Sequence, residues 1–460
     1  MPLLVVLVDT AQAAPPSQGS AIGRVIHADA ATLLAKLRTL KAGDTLTLAA
    51  GDYDESEIPG LPVFGLHGTA DAPITITGPR TGRKAVLLGR EGTNTVRIAN
   101  SSYVIVRDLD IDGRNRGGDG VNAQGPSHHI TLENLTIRGV GGGQDVVAIS
   151  TNRAPAWNWT IRGNVIVGAG TGMYLGDSDG SQPFIAGVIE HNLIRDTIGY
   201  NLQIKHQVAW PAEPRFRNER TATIIRHNVF AKGPNSAVGR MARPNVLVGD
   251  VPPSGPGSAN HYEIYANVFL ENPSEALFQG EGNIALYANL FVNHAGPAIV
   301  IQPHNGSVRD VQVFGNTIVA SARGVAIERG NASSVQRADV NVVFADPPIV
   351  APNQLANIVG PYADAAAHLA SPLSPPGKLD LSPRRGALRG PLIDVGEWRS
   401  FTAWDLDFEG RPRNWRIRGA YGGEAAKRDW LPQLERKPVP GRSSLRVPIP
   451  DSGTLTNAQR

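Results

Sequence analysis

Cysteine is absent from the 460 residues, which excludes disulfides, thiolate metal ligands and a cysteine nucleophile while leaving the compartment open. Charge is scarce at 18% of residues, and 44 basic against 41 acidic side chains leave a net charge of only +3. With no Lys/Arg block, that balance argues against a nucleic-acid partner. No apolar run reaches the ~18 residues that a membrane-spanning helix needs. The opening "MPLLVVLVDTAQAAPPSQG" holds a short apolar run and an Ala-x-Ala site at 11–13. It reads as a signal peptide over residues 1–20, so the expected location is secreted or periplasmic. Aromatics are also few, at 6%, whereas glycine (51) and proline (35) are plentiful beside 41% hydrophobic residues. This is the composition of a turn-rich, strand-rich chain with enough apolar material for one continuous core.

The organising feature is a repeat. "ITLENLTIRG" (130–139), "WTIRGNVIVG" (159–168), "VIEHNLIRDT" (188–197), "TIIRHNVFAK" (223–232), "YEIYANVFLE" (262–271), "IALYANLFVN" (284–293) and "VQVFGNTIVA" (311–320) stack on an internal asparagine. The asparagines are Asn134, Asn164, Asn192, Asn228, Asn267, Asn289 and Asn316, so successive units are 22 to 39 residues apart. Asparagine tolerates a left-handed turn, and stacked side-chain amides form a hydrogen-bonded ladder. Alternating apolar residues on both sides of the turn then share a core. The pattern predicts an all-β chain, a right-handed parallel β-helix with long loop insertions, in which each coil pairs with the coils above and below.

An amphipathic segment with Leu33, Leu34, Leu37 and Leu40 on one face precedes "TLTLAAGDY" and predicts an N-terminal capping helix, since an open β-helix end exposes core and strand edge. The helical domain is expected over residues 21–345. An irregular C-terminal segment packed on it follows over 346–430, and a tail over 431–460.

A second short strand follows each asparagine strand: "VVAIST", "GMYLGD", "NLQIKH", "SAVGRMA", "ALFQGE", "AIVIQP" and "GVAIER". Aligning Ile149, Leu175, Ile204, Gly239, Phe278, Ile301 and Ile327 as inward makes the next residue outward. That column reads Ser150, Gly176, Lys205, Arg240, Gln279, Gln302, Glu328. Coils ~4.8 Å apart would put Lys205 beside Arg240. Two adjacent cations call for an anionic ligand and depress the lysine pKa toward that of a base. Tyr174 and Gln203 share this face. The insertions at 208–220 and 243–261 would wall a cleft, bringing Trp210 as an aromatic platform and Arg215, Arg217, Arg220 and Arg243 as cations. His206 is either a turn residue or a second proton-transfer group.

With these residues in view, the chain resembles the β-helical polysaccharide lyases that include chondroitinase B and alginate lyases. "LLAKLRTLKAGDTLTLAAGDYDE" followed by "GTADAPITITG", the Asn-laddered coils, and "NLQIKHQ" with "VGRMA" one coil later carry the likeness. The resemblance implies β-elimination of an acidic, uronic-acid-containing polysaccharide. Lys205 would be the base and Arg240 would assist at the leaving oxygen. It also implies a calcium ion held by acidic residues just before the lysine, but "GYNLQ" has no carboxylate there, so no metal or other cofactor is expected. Three readings compete: a hydrolase using Asp177, Asp179 and Glu281, a uronate epimerase, and a non-catalytic carbohydrate-binding β-helix.

Overall fold

The computed structural model describes residues 23–54, 60–211, 221–424, 428 and 430–439. Three long parallel sheets of fifteen, twelve and eleven strands run the length of the molecule, and each coil contributes one strand to each in turn. A representative coil runs Val188–Glu190 in the first sheet, Leu193–Arg195 in the second and Leu202–Ile204 in the third. Apolar residues alternate inward along these strands. Ile189, Ile194, Leu202 and Ile204 are all fully buried in a single core that extends from Ala28 to Ala345. The chain is a parallel β-helix.

The corner between the first two sheets explains the repeated asparagine. The Asn192 side-chain oxygen accepts from both the backbone N–H and the amide of Asn164, each at 2.9 Å. The same pair of bonds recurs from Asn192 to Asn228, Asn267, Asn289, Asn316, Asn341 and Asn357. The left-handed residue is not the asparagine but the one before it: His191, His227, Ala266, Ala288 and Val340 have φ between 49° and 56°. Asn134 departs from the expected pattern. It occupies that left-handed position (φ 52°) itself, and the ladder oxygen of Asn164 is met by the N–H of Leu135. An asparagine in a turn is compatible with either role, and only the register separates them.

Near the start, a five-residue helix spans Leu33–Leu37, with Leu33 and Leu37 in the core. At the other end the coils continue past residue 345. Ile349–Val350, Asn353–Leu355 and Ile358–Gly360 add a further strand to all three sheets. The following segment lies on the outside. Trp398 stacks on Phe314 at 4.3 Å, extending the column Tyr265, Tyr287, Phe314. The residues from Trp430 to Val439 run back along the coils. Arg436 donates to the side chain of Asn134 at 2.9 Å, and the buried Lys437 amine donates to the carbonyl of Ala266 at 3.0 Å. No helix among the described residues is long and apolar enough to cross a membrane.

Candidate functional site

The outer face of the third sheet is unusual because its polar side chains are buried. Ser150, Gln203 and Gln279 point away from the core, yet are 0%, 5% and 7% exposed. Side chains stacked in the coils above and below and the segments at the sheet's edges cover them, and this face is the floor of the candidate site.

Lys205 stands just past the strand Leu202–Ile204 at the leaving edge of this floor, where its backbone N–H donates to Leu175 at 2.8 Å. The alignment that placed Arg240 beside it is overturned. The strand paired with Leu202–Ile204 is Val246–Val248, in the register Leu202↔Val246, Gln203↔Leu247, Ile204↔Val248. Arg240 lies instead in an exposed single turn, Gly239–Met241, whose Gly239 has φ 62°. "SAVGRMA" alternates like a strand, but its Val238 is 72% exposed and Met241 52%. The signal that separates the two segments is in the sequence: Asn245–Val246–Leu247–Val248 repeats Asn201–Leu202–Gln203–Ile204, and Asn201 donates to the Asn245 carbonyl at 2.8 Å.

The correct register keeps Gly176 on one side of Lys205 and replaces Arg240 on the other. Gly176 precedes it and Gly249 follows it, and the next side chain in that column is Glu281. Close approach requires glycine at 249, and a left-handed backbone (φ 89°) favours it at 176. A Cβ on Gly176 would meet the Lys205 Cβ at 3.2 Å, and one on Gly249 would sit 2.2 Å from the His206 nitrogen. The lysine therefore has no side chain flanking it in its own column. Its amine makes no hydrogen bond or ion pair among the described residues, and it lies 5.9 Å from the centroid of the Tyr174 ring. Burial pulls the Lys205 pKa below that of an ordinary lysine, against the opposing charges of Glu281 and Asp177.

The remaining expected site residues divide. Tyr174 and Gln203 are register partners on the face that carries Lys205, while Gln279 belongs to the Gln203 column, separated from it by Leu247. The His206 ring packs beneath Gly180, and its Nδ1 is buried with no partner among the described residues. Arg243 is at the opposite, entering edge of the sheet. Its guanidinium lies 5.9 Å from the Tyr200 ring centroid and donates to the Ala242 carbonyl at 2.7 Å. Four residues of strand at ~3.3 Å each place Asn201 and Lys205 roughly 13 Å apart, so Arg243, beside Tyr200, is at the other edge of the sheet from Lys205.

Trp210 is not an exposed platform. It is 7% exposed, packs with Trp157 and Ile185, and has Gly257 of the second insertion against its indole. An aromatic residue in an excursion is as able to fold back onto the coils as to face a ligand. Arg215, Arg217 and Arg220 lie outside the described residues.

The hydrolase carboxylates are engaged elsewhere. Glu281, 1% exposed, accepts from three successive backbone N–H groups, of His304 (2.6 Å), Asn305 (2.9 Å) and Gly306 (2.9 Å). Asp177 accepts from Ser178 and Asp179 from Ser181, both within one turn. A calcium ion takes six to eight oxygen ligands, with carboxylates prominent among them. Before Lys205 the structure offers only Asn201, whose amide donates to Thr197 and Ala231, and the neutral Gln203. These residues do not fit calcium. Among the described residues no three His, Asp or Glu side chains converge on one point.

No protein-family model matches the chain, and no curated protein matches it. Among solved structures, the chain is similar to an alginate lyase from Paenibacillus sp. str. FPU-7, with 16% identity, 74% of this chain and 98% of that one covered, and a TM-score of 0.39. It is similar to a PL6 family polysaccharide lyase from Pseudopedobacter saltans, with 12% identity, 74% and 94% covered, and a TM-score of 0.37. It is also similar to a GH136 lacto-N-biosidase from Eubacterium ramulus, with 11% identity, 74% and 68% covered, and a TM-score of 0.39.

Proposed function

We propose that the protein is a polysaccharide lyase that cleaves a uronic-acid-containing acidic polysaccharide by β-elimination, with Lys205 as the base. The observation that carries this reading is the state of Lys205. It is a half-buried amine that forms no ion pair or hydrogen bond among the described residues, flanked by two glycines on the outer face of the third sheet. A buried charge is normally paired or neutralised. A lysine left unpaired and shifted toward neutrality instead supplies an amine that accepts a proton, and such groups cluster at reaction sites. The bare column around it leaves room for a sugar ring to approach. Arg240 and Arg243, on the far edge, are positioned to receive carboxylates of neighbouring units rather than to act at the leaving oxygen.

The test is a screen of alginate, chondroitin and pectate for the ultraviolet absorbance of an unsaturated uronide, run with the wild type and Lys205→Ala. Absorbance that the substitution removes supports the lyase. Reducing ends released without unsaturation, and insensitive to Lys205→Ala, would overturn it.

A further inference from the structure

β-Elimination needs a proton donor as well as a base, and the register has removed Arg240 from that role. The proton on the carbon beside the carboxylate and the departing oxygen are on adjacent atoms of one ring. The donor must therefore work within a few ångströms of the Lys205 amine. Among the other groups near the lysine, Asp177 is a carboxylate and burial holds the His304 imidazole toward its neutral form, and three more fail on geometry or chemistry. The His206 ring is packed against Gly180, the Gln203 amide has no transferable proton at neutral pH, and the Glu281 carboxylate is held by three backbone N–H groups.

Resting on the lyase reading, we propose that Tyr174 is the general acid that protonates the leaving oxygen. It sits one coil before Gln203 on the same outward face, its ring centroid 5.9 Å from the Lys205 amine. Gly176 follows it by two residues and leaves the space between the two groups without a side chain. Burial also raises the Tyr174 pKa, which keeps the phenol protonated and able to donate.

The step balances within the pair. The neutral Lys205 amine takes the proton from C5 and that electron pair becomes the C4–C5 double bond. The C4–O bond then breaks, and the leaving oxygen takes the Tyr174 proton. Ammonium and phenolate are left facing one another, and transfer of one proton between them, directly or through water, restores the starting state with no net uptake.

The experiment compares wild type with Tyr174→Phe, which keeps the ring and its packing, in three assays. These are elimination on the responding polymer, exchange of the C5 proton with deuterium from heavy water, and elimination from a uronide carrying fluorine at C4, whose departure needs little protonation. The expected result is a loss of about 100-fold or more on the polymer, with deuterium exchange retained and fluoride elimination within a few-fold of wild type. Polymer cleavage by Tyr174→Phe at the wild-type rate would remove the donor role and leave the lyase standing. Equal loss in all three assays would also overturn it, showing that the ring merely places Lys205. Failure of the wild type to eliminate or exchange on any uronic-acid polymer would end both readings together.

Discussion

At the corner between the first and second sheets, eight successive coils put asparagine in one spot, from Asn164 to Asn357. On the floor of the third sheet the first four of these coils put Tyr174, Gln203, Leu247 and Gln279 in one column, with no two neighbours alike. The corner is repetitive because each amide completes the next one's hydrogen bonds, and a gap leaves buried donors unmet. Since the corner and the inward residues fix the rise and register of every coil, the outward column of the third sheet is free to vary. On the proposed function, stability is thus assigned to the repeated positions and chemistry to the varied ones.

Four substitutions probe that division, from the largest effect to the smallest. Lys205→Ala should lower the rate of elimination about a thousandfold while leaving the thermal unfolding midpoint unchanged or slightly raised, because a half-buried charge is removed. A large fall in midpoint would show that the lysine belongs to the structural side. Asn267→Ala should do the converse. It removes a fully buried amide that both receives and donates in the ladder, at an expected stability cost of about 2–3 kcal/mol. Turnover of the folded fraction should be unaltered, as read by denaturant titration beside a rate assay.

Gly249→Ala tests the boundary between the two regions. Its new Cβ would fall 2.2 Å from the His206 nitrogen and 2.6 Å from its Cα, so the backbone that carries Lys205 must shift. Stability should fall by about 1–3 kcal/mol, and the rate should fall more than the folded fraction does. A variant as active and stable as wild type would mean that the close approach has no bearing on the lysine. The smallest effect is expected from Asp177→Asn. Asp177 is one of the two charges raising the Lys205 pKa against burial. The rate rises with pH as the amine loses its proton, so removing this carboxylate should move that rising limb to lower pH by a few tenths of a unit. A shift to higher pH would contradict Lys205 as the titrating base.

How much of this was legible beforehand follows the same division. The β-helix could be read because asparagine recurs and the flanking strands alternate, both consequences of a shared core. Lys205 and Gly176 were placed correctly because their strands are separated by an ordinary coil. Arg240 was misplaced because the third-sheet strands at that point are only three residues long, so a chance alternation in a turn competes with the real strand. The Asn-initiated pattern of Asn245–Val248 settles it only once the pairing is known. Trp210 failed for a different reason: sequence locates an excursion, but not the side on which it folds. The left-handed residues before the asparagines were missed because Ala266, Ala288 and Val340 carry no turn signal of their own, the ladder imposing the conformation on them.

The segment Trp430–Val439 gives the molecule a mechanical property that stacked coils alone would lack. A solenoid whose units touch only their neighbours can fray from either end, one coil at a time. Here the segment places Lys437 against Phe408, His227 and Ala266, and Arg436 against Asn134. Coils more than a hundred residues apart in sequence are thereby cinched by one strand of backbone. The coils between Asn134 and Ala266 should therefore resist fraying better than the coils beyond them, which this segment does not bridge.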